Sequence, residues 1–152
     1  MCDTVLPHIP IAYIDIRAFA HATEDQEKVL KAMHNTLPAE LIDKIVFKRK
    51  RLTGHHGNPI ILFETKVKGK DVVKAVFEKL SSHLESLDKE LLANEIKRHL
   101  DRENLYIRLD KQSALLNELR IGSVDSIHLR IHFKKHTPEE IVEVCRKSGM
   151  LP

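Results

Sequence analysis

Four consecutive cations, Lys48, Arg49, Lys50 and Arg51, lead into Leu52-Thr53-Gly54-His55-His56-Gly57-Asn58-Pro59, and this is the segment best suited to chemistry with an anion. Two glycines supply backbone free of Cβ restriction, so amide groups can approach a phosphate, and two imidazoles beside them add further donors. The neighbouring Lys and Arg supply long-range attraction. A charge run alone is ordinary solvated surface, and two glycines alone turn a hairpin. Turning needs neither the histidines nor four cations in a row, which favours phosphate contact. Lys66 and Lys68 follow on the next extended segment. Between Lys44 and Lys70 stand eight basic residues and one acid, Glu64, whereas the whole chain has 25 basic and 22 acidic residues, so the remainder is net acidic. A one-signed field on such a body attracts and orients polyanions.

Other chemistries have less to work with. The sequence contains no GxSxG elbow, no GxxxxGK[ST] phosphate loop, no GxGxxG between a strand and a helix, and no HExxH. Asp15 has Arg17 two positions along, and Asp110 has Arg108, so salt bridging on one strand face explains both acids at least as well as general acid/base work does. Ten histidines invite a metal, but His55 and His56 are adjacent and diverge. His128 and His132 lie about 13 Å apart on a strand at ~3.3 Å per residue. No metal or cofactor is expected. The spacing Gly54-x-x-Gly57 matches the GxxG loop of KH domains, but that loop joins two helices and here both flanks read as strands.

The positioning elements follow from periodicity. A chain of 152 residues, 42% hydrophobic and 31% charged, has the size and composition of one folded domain, 1–152, with enough apolar content to offset the entropy of ordering. The apolar stretch Pro7–Ala20 is broken by His8, Asp15 and Arg17, so no membrane span is expected. Met1–Asp3 does not open a signal peptide. A cytoplasmic protein with free thiols at Cys2 and Cys145 is the expectation.

Ala12, Ile14, Ile16, Ala18 and Ala20 alternate with polar neighbours as a strand. Thr23 and Gln26 read as a capping box for a helix that runs to Pro38, followed by a turn over Ala39–Asp43. Lys44–Leu52 and Pro59–Lys68 read as the two strands of a hairpin. Helices are expected over Gly69–Leu84 and Ser86–Asp101. Leu105–Asp110 is a strand, Ser113–Leu119 a short helix, and Ile127–Lys134 the clearest strand. Thr137-Pro138-Glu139-Glu140 caps a last helix that Gly149 stops. The order predicts an α+β fold: an antiparallel or mixed sheet of about five strands with helices packed on one face. The other face would carry Tyr13, Arg17, Tyr106, Arg108, His128, Arg130 and His132 if the registers agree.

Arg51-Leu-Thr-Gly-His-His-Gly-Asn-Pro-Ile60 with its basic strand, and Leu105-Tyr-Ile-Arg-Leu-Asp-Lys-Gln112, resemble an archaeal family described as RNA-binding, some of whose members are exosome-related. The resemblance covers residues 8 to 135. It implies a fold similar to an RNA-contacting large-subunit ribosomal protein, a role in RNA processing or translation-linked metabolism, and exosome- or ribosome-associated partners. It brings no catalytic residues. Gly54, His55, Gly57, Asn58, Arg108, Asp110, Lys111 and Gln112 carry over as contact or loop-shaping positions.

Together these readings predict a non-catalytic protein that anchors structured RNA on a basic hairpin, with the polar face of the sheet as a secondary surface. The RNA contacts expected are Lys48, Arg49, Lys50, Arg51, Gly54, His55, His56, Gly57, Asn58, Lys66, Lys68, Arg108, Lys111 and Arg130. Absence of Trp and only two Tyr leave few stacking surfaces for an unstructured strand. Two rivals use the same residues differently: an adaptor docking on an acidic protein, and a small phosphohydrolase or metal-dependent enzyme built on His55, His56 and Asp110.

Overall fold

The computed structural model describes residues 9–152, so Cys2, His8 and the Met1–Asp3 start lie outside the described residues. Strand β1, Tyr13–Ala20, buries Ile14, Ile16, Ala18 and Ala20 and leaves its odd-numbered residues half-buried or exposed. Helix α1, Gln26–His34, is capped by Asp25, whose carboxylate accepts from the Glu27 amide. The expected Thr23–Gln26 box does not form. The helix also ends before Pro38, because the Asn35 amide closes on Lys31 and the buried Thr36 hydroxyl donates to the Met33 carbonyl at 2.6 Å.

A 3₁₀ turn over Ala39–Leu41 follows. Lys44 and Ile45 donate their amides to Leu41, so the chain is still turning where a strand was expected, and β2 covers Lys48–Thr53. Strand β3 is Pro59–Lys68, helix α2 is Lys70–His83, and α3 is Ser86–Asn94. The continuous helix expected to Asp101 breaks at Glu95. A short α4, Ile96–His99, gives way to β4, Leu100–Asp101. That sixth strand exists because Leu100 and Asp101 pair with Leu105 and Asn104 across a two-residue turn in which Arg102 takes φ +58.

Strand β5 is Asn104–Asp110, α5 is Lys111–Leu115, β6 is Ser126–His132 and α6 is Pro138–Ser148. The Asp110 carboxylate caps α5 by accepting from the Ser113 amide and hydroxyl at 2.9 and 2.8 Å. Sequence placed that helix later, over Ser113–Leu119. The Thr137–Glu140 capping box and the left-handed Gly149 at φ +86 bound α6 as expected.

The six strands run β2-β3-β1-β6-β5-β4, every neighbour antiparallel. The even residues of β1 share one core with Met33 of α1, Phe77 and Leu80 of α2, Leu92 of α3 and Ile141 of α6. Phe77 meets Phe133 edge to face at 6.2 Å, and burial of each such side chain is worth about 1.5–3 kcal/mol. Cys145 is in that core, where burial pushes its thiol up to about 12. The opposite sheet surface carries the polar half of each strand.

Candidate nucleic-acid interface

Antiparallel register lays the polar positions out in cross-strand rows. Lys48, Glu64, Arg17, His128 and Arg108 stand opposite one another across β2, β3, β1, β6 and β5. The next row holds Lys66, Asp15, Arg130 and Tyr106, and the one beyond it Lys68, Tyr13, His132 and Asn104. With strands ~4.8 Å apart, Lys48 and Arg17 are about 10 Å apart, as are Arg17 and Arg108. The surface dips into a groove of about 900 Å³ lined in part by Arg17, Lys48, Lys66, His128 and Arg130.

Two acids temper this field. Glu64 lies 3.1 Å from the Lys50 ammonium, and Asp15 lies 3.9 Å from Lys66 and 4.0 Å from Arg130. Among the described residues, Arg17 and Arg108 have no carboxylate within 4.0 Å. His128 sits between them, and burial together with the charges of Arg108 and Arg17 holds its imidazole below the usual histidine value. For Arg130, burial works against the charged form, but the Tyr13 hydroxyl and the Asp15 charge keep its value raised.

Tyr13 is fixed on all sides. Its ring stacks on His132 at 4.7 Å and 11°, the Lys66 ammonium lies 4.2 Å from the ring centroid, and Arg130 donates to its hydroxyl at 2.7 Å. His132 is held in turn by Asn104, 2.8 Å from its Nδ1. A ring so engaged is not a free stacking platform.

The sequence-predicted residues divide. Lys48, Lys50, Lys66, Lys68, Arg108 and Arg130 lie on the open face. Arg49 and Arg51 project to the other side of the sheet, opposite Phe63 and Ile61, because neighbouring strand residues alternate. Arg49 sits 5.1 Å from the Phe63 ring centroid and 3.5 Å from Glu27 of α1. The four-cation finger is therefore two pairs on two faces. Lys50 and Arg49 each fold back on an acid yet stay 60% and 50% exposed, so the pairs are weak and an anion can compete for them.

At the tip, the Gly54 amide donates to the Asn58 carbonyl at 2.6 Å and the Gly57 amide to the Gly54 carbonyl at 3.0 Å. Those amides close the turn and do not face an incoming phosphate. Gly57 takes φ +78, and a Cβ on Gly54 would meet Ile60 Cδ1 at 2.9 Å, so both glycines shape the loop. His55 and His56 are exposed, their rings edge to face at 5.2 Å, and Asn58 is exposed beside them. Asp110 is three strands away from β3, about 14 Å across the sheet, and its carboxylate caps α5. The structure does not bring it to the histidines.

Lys111 corrects the reading most clearly. It is buried, and its ammonium donates to the Phe19 carbonyl at 2.8 Å, to Asp125 at 2.9 Å and to Glu24 at 3.1 Å. It pins the β1 end to the loop before β6 and offers nothing to a ligand. His21, Glu24 and Asp125 have donor atoms within 4.8 Å of one another, and the ammonium already supplies the cation this cluster needs. The contacts expected from sequence omit Arg17 and His128, although both stand on the polar face expected of the sheet. Their signal was present in the alternation of β1 and β6, but which strands lie side by side is a tertiary fact.

The fold and this surface define a class: an α+β protein whose antiparallel sheet is packed with helices on one side and presents cations in register on the other. The chain belongs to a family described as RNA binding, which matches residues 13–133. It is 37% identical over 139 residues to RNA-binding protein PAB1135 of Pyrococcus abyssi, covering 88% of this chain and 90% of that one. It is 33% identical over 138 residues to protein MJ0213 of Methanocaldococcus jannaschii, with 88% and 92% covered. The crystal structure of AF2318 from Archaeglobus fulgidus superposes with a TM-score of 0.75 at 27% identity, covering 91% of this chain and 99% of that one. The expected membership of an archaeal RNA-binding family is thereby established. Family and relative names both point to RNA.

Proposed function

We propose that the protein binds structured RNA non-catalytically, through phosphates laid across the open sheet face, with Lys48 and Lys50 extending that face at its β2 edge. The observation that supports this reading is the register, which sets Lys48, Lys66, Lys68, Arg17, Arg108 and Arg130 on the surface opposite the helix-packed core. Regularly spaced cations suit a regular phosphate backbone. With Tyr13 held by three neighbours, Tyr106 is the one remaining tyrosine on this face, so stacking of a run of unpaired bases has little to use. The exosome- or ribosome-associated partners and cytoplasmic setting implied by the resemblance belong to the same proposal, and a pull-down with and without nuclease separates RNA-bridged partners from direct ones.

A duplex RNA of about 20 base pairs titrated by filter binding at several salt concentrations tests the central claim. If about five phosphates are neutralised, log K against log salt falls with a slope between roughly −3.5 and −4.5. A flat line overturns it.

A further inference from the structure

Three places remain outside the general picture of a cationic face. The His21–Glu24–Asp125 cluster is filled by Lys111. Leu87 and Leu91 are exposed one turn apart on α3, with nothing seated on them. The third is the row Arg17, His128, Arg108, and it carries an inference.

These three side chains stand directly opposite one another on β1, β6 and β5. Like charges placed across strands repel, and a fold gains nothing by aligning two guanidinium groups on either side of an imidazole. On the same face Lys50 is paired with Glu64, and Lys66 and Arg130 share Asp15, while the flexible Lys48 and Lys68 are unpaired among the described residues at the sheet's β2–β3 side. Glu64 is also the cross-strand neighbour of Arg17, but its carboxylate is turned to Lys50. Here, among the described residues, no carboxylate comes within 4.0 Å of Arg17 or Arg108. Arg17 and His128 also line the groove. An electropositive gap flanked by two fork-shaped donors has the chemistry of a site for one tetrahedral oxyanion.

We propose that Arg17, His128 and Arg108 together bind a single phosphate of the RNA backbone, and that His128 takes up a proton as the phosphate arrives. The inference rests on the RNA reading above and narrows it to one subsite. Partial burial of His128, and after it the charges of Arg108 and Arg17, favour the neutral ring. An anion between them cancels the arginine charges felt by the ring and adds its own attraction for a protonated one.

The surroundings bear on which group does this. From β1 the ring faces Arg17, with Asp15 one row away, and Asp15 is engaged by Lys66 and Arg130. From β5 it faces Arg108, with Tyr106 and Asp110 on either side, and Asp110 is turned to Ser113. Arg130 is the neighbour along its own strand. In the same row, beyond Arg17, Glu64 of β3 is engaged by Lys50. Among the described residues none of these carboxylates comes within 4.0 Å of the ring to stabilise its protonated form in place of the ligand. The sign follows. Binding that takes up a proton strengthens as pH falls, so the affinity for RNA rises on the acid side of neutrality, by at most about tenfold per pH unit for one proton.

The test measures Kd for a duplex RNA between about pH 7.5 and pH 5.5 at fixed salt, in the wild type and in His128→Gln. The wild type is expected to bind about fivefold tighter at the acid end, and the variant to lose most of that gain. In parallel, the His128 ring resonance is followed by NMR with and without the RNA, and its titration midpoint is expected to move up when RNA is bound. RNA binding with an equal acid gain in His128→Gln, or an unmoved midpoint, overturns the subsite and leaves the RNA reading standing. Absence of RNA binding at every pH overturns both.

Discussion

The chemistry of a single side chain depends on where its strand delivers it, and Lys111 makes the point. By type and by motif it belongs with the phosphate contacts, yet its side chain is only 9% exposed and its ammonium bridges Glu24 and Asp125 while capping the Phe19 carbonyl. Removing it strands two carboxylates that face each other. Lys111→Met is therefore expected to cost about 2 kcal/mol, below the ~3–5 kcal/mol for breaking a fully buried pair, because Glu24 and Asp125 remain 29% and 42% exposed. Thermal unfolding checks it, and pH adds a signature. For Asp125, desolvation opposes ionisation, but hydrogen bonds and charge from Lys111 and His21 hold its carboxyl below the usual range. A depressed carboxyl contributes stability that is full above about pH 5 and lost as pH falls through its folded value. The gap between wild type and Lys111→Met should accordingly narrow below about pH 4. An unchanged melting temperature at neutral pH would show that the ammonium is not a structural tie.

Elements were legible where one residue pattern decides them. Alternation gave β1, β5 and β6 to within about two residues, Pro59–Lys68 was read as observed, and Thr137 with Glu140 and Gly149 bounded α6. Errors fell where a partner elsewhere in the chain decides. Leu100–Asp101 has helical neighbours and becomes a strand because β5 offers it an edge. Asp25 caps α1 in place of Thr23, and the adjacent Glu24 carboxylate is committed to Lys111, far along the sequence. Another such edge device is the segment around Gly122. Beyond the reach of β4, Leu109 bridges Ile121, the Asp110 amide donates to the Arg120 carbonyl at 2.8 Å, and the Gly122 amide to the Arg108 carbonyl at 3.0 Å. This covers the outer edge of β5, which would otherwise be open to pairing with another chain. A Cβ on Gly122 would stand 2.9 Å from the Asp110 Cα and 3.0 Å from its nitrogen, both backbone atoms that cannot swing aside. Gly122→Ala is expected to destabilise by about 1–3 kcal/mol, a fall of roughly 3–10 °C in Tm. A calorimetric scan that matches the wild type would mean the segment does not hug the strand.

At the scale of the whole molecule, what separates a binding surface from general basicity is its sidedness. The sequence showed a cluster of cations along the chain, and the sheet sorts them by parity. Lys48 and Lys50 join Arg17, Lys66, Arg108 and Arg130 on the open face, while Arg49 and Arg51 leave for the helix side. Net charge falls by the same two units in two double variants, Lys48→Gln with Lys50→Gln and Arg49→Gln with Arg51→Gln. If attraction were diffuse, both would weaken RNA binding alike, since long-range steering depends on total charge. If phosphates lie across the open face, the lysine pair loses two contacts and the arginine pair none. The salt slope of the lysine variant should then drop by about 1.4 to 1.8, and its affinity at moderate salt by roughly tenfold or more, whereas the arginine variant keeps the wild-type slope. Each is exposed enough that Tm should stay within about 1–2 °C, which keeps folding out of the comparison. Equal losses in the two variants would return the binding to the hairpin as a finger and take it away from the sheet.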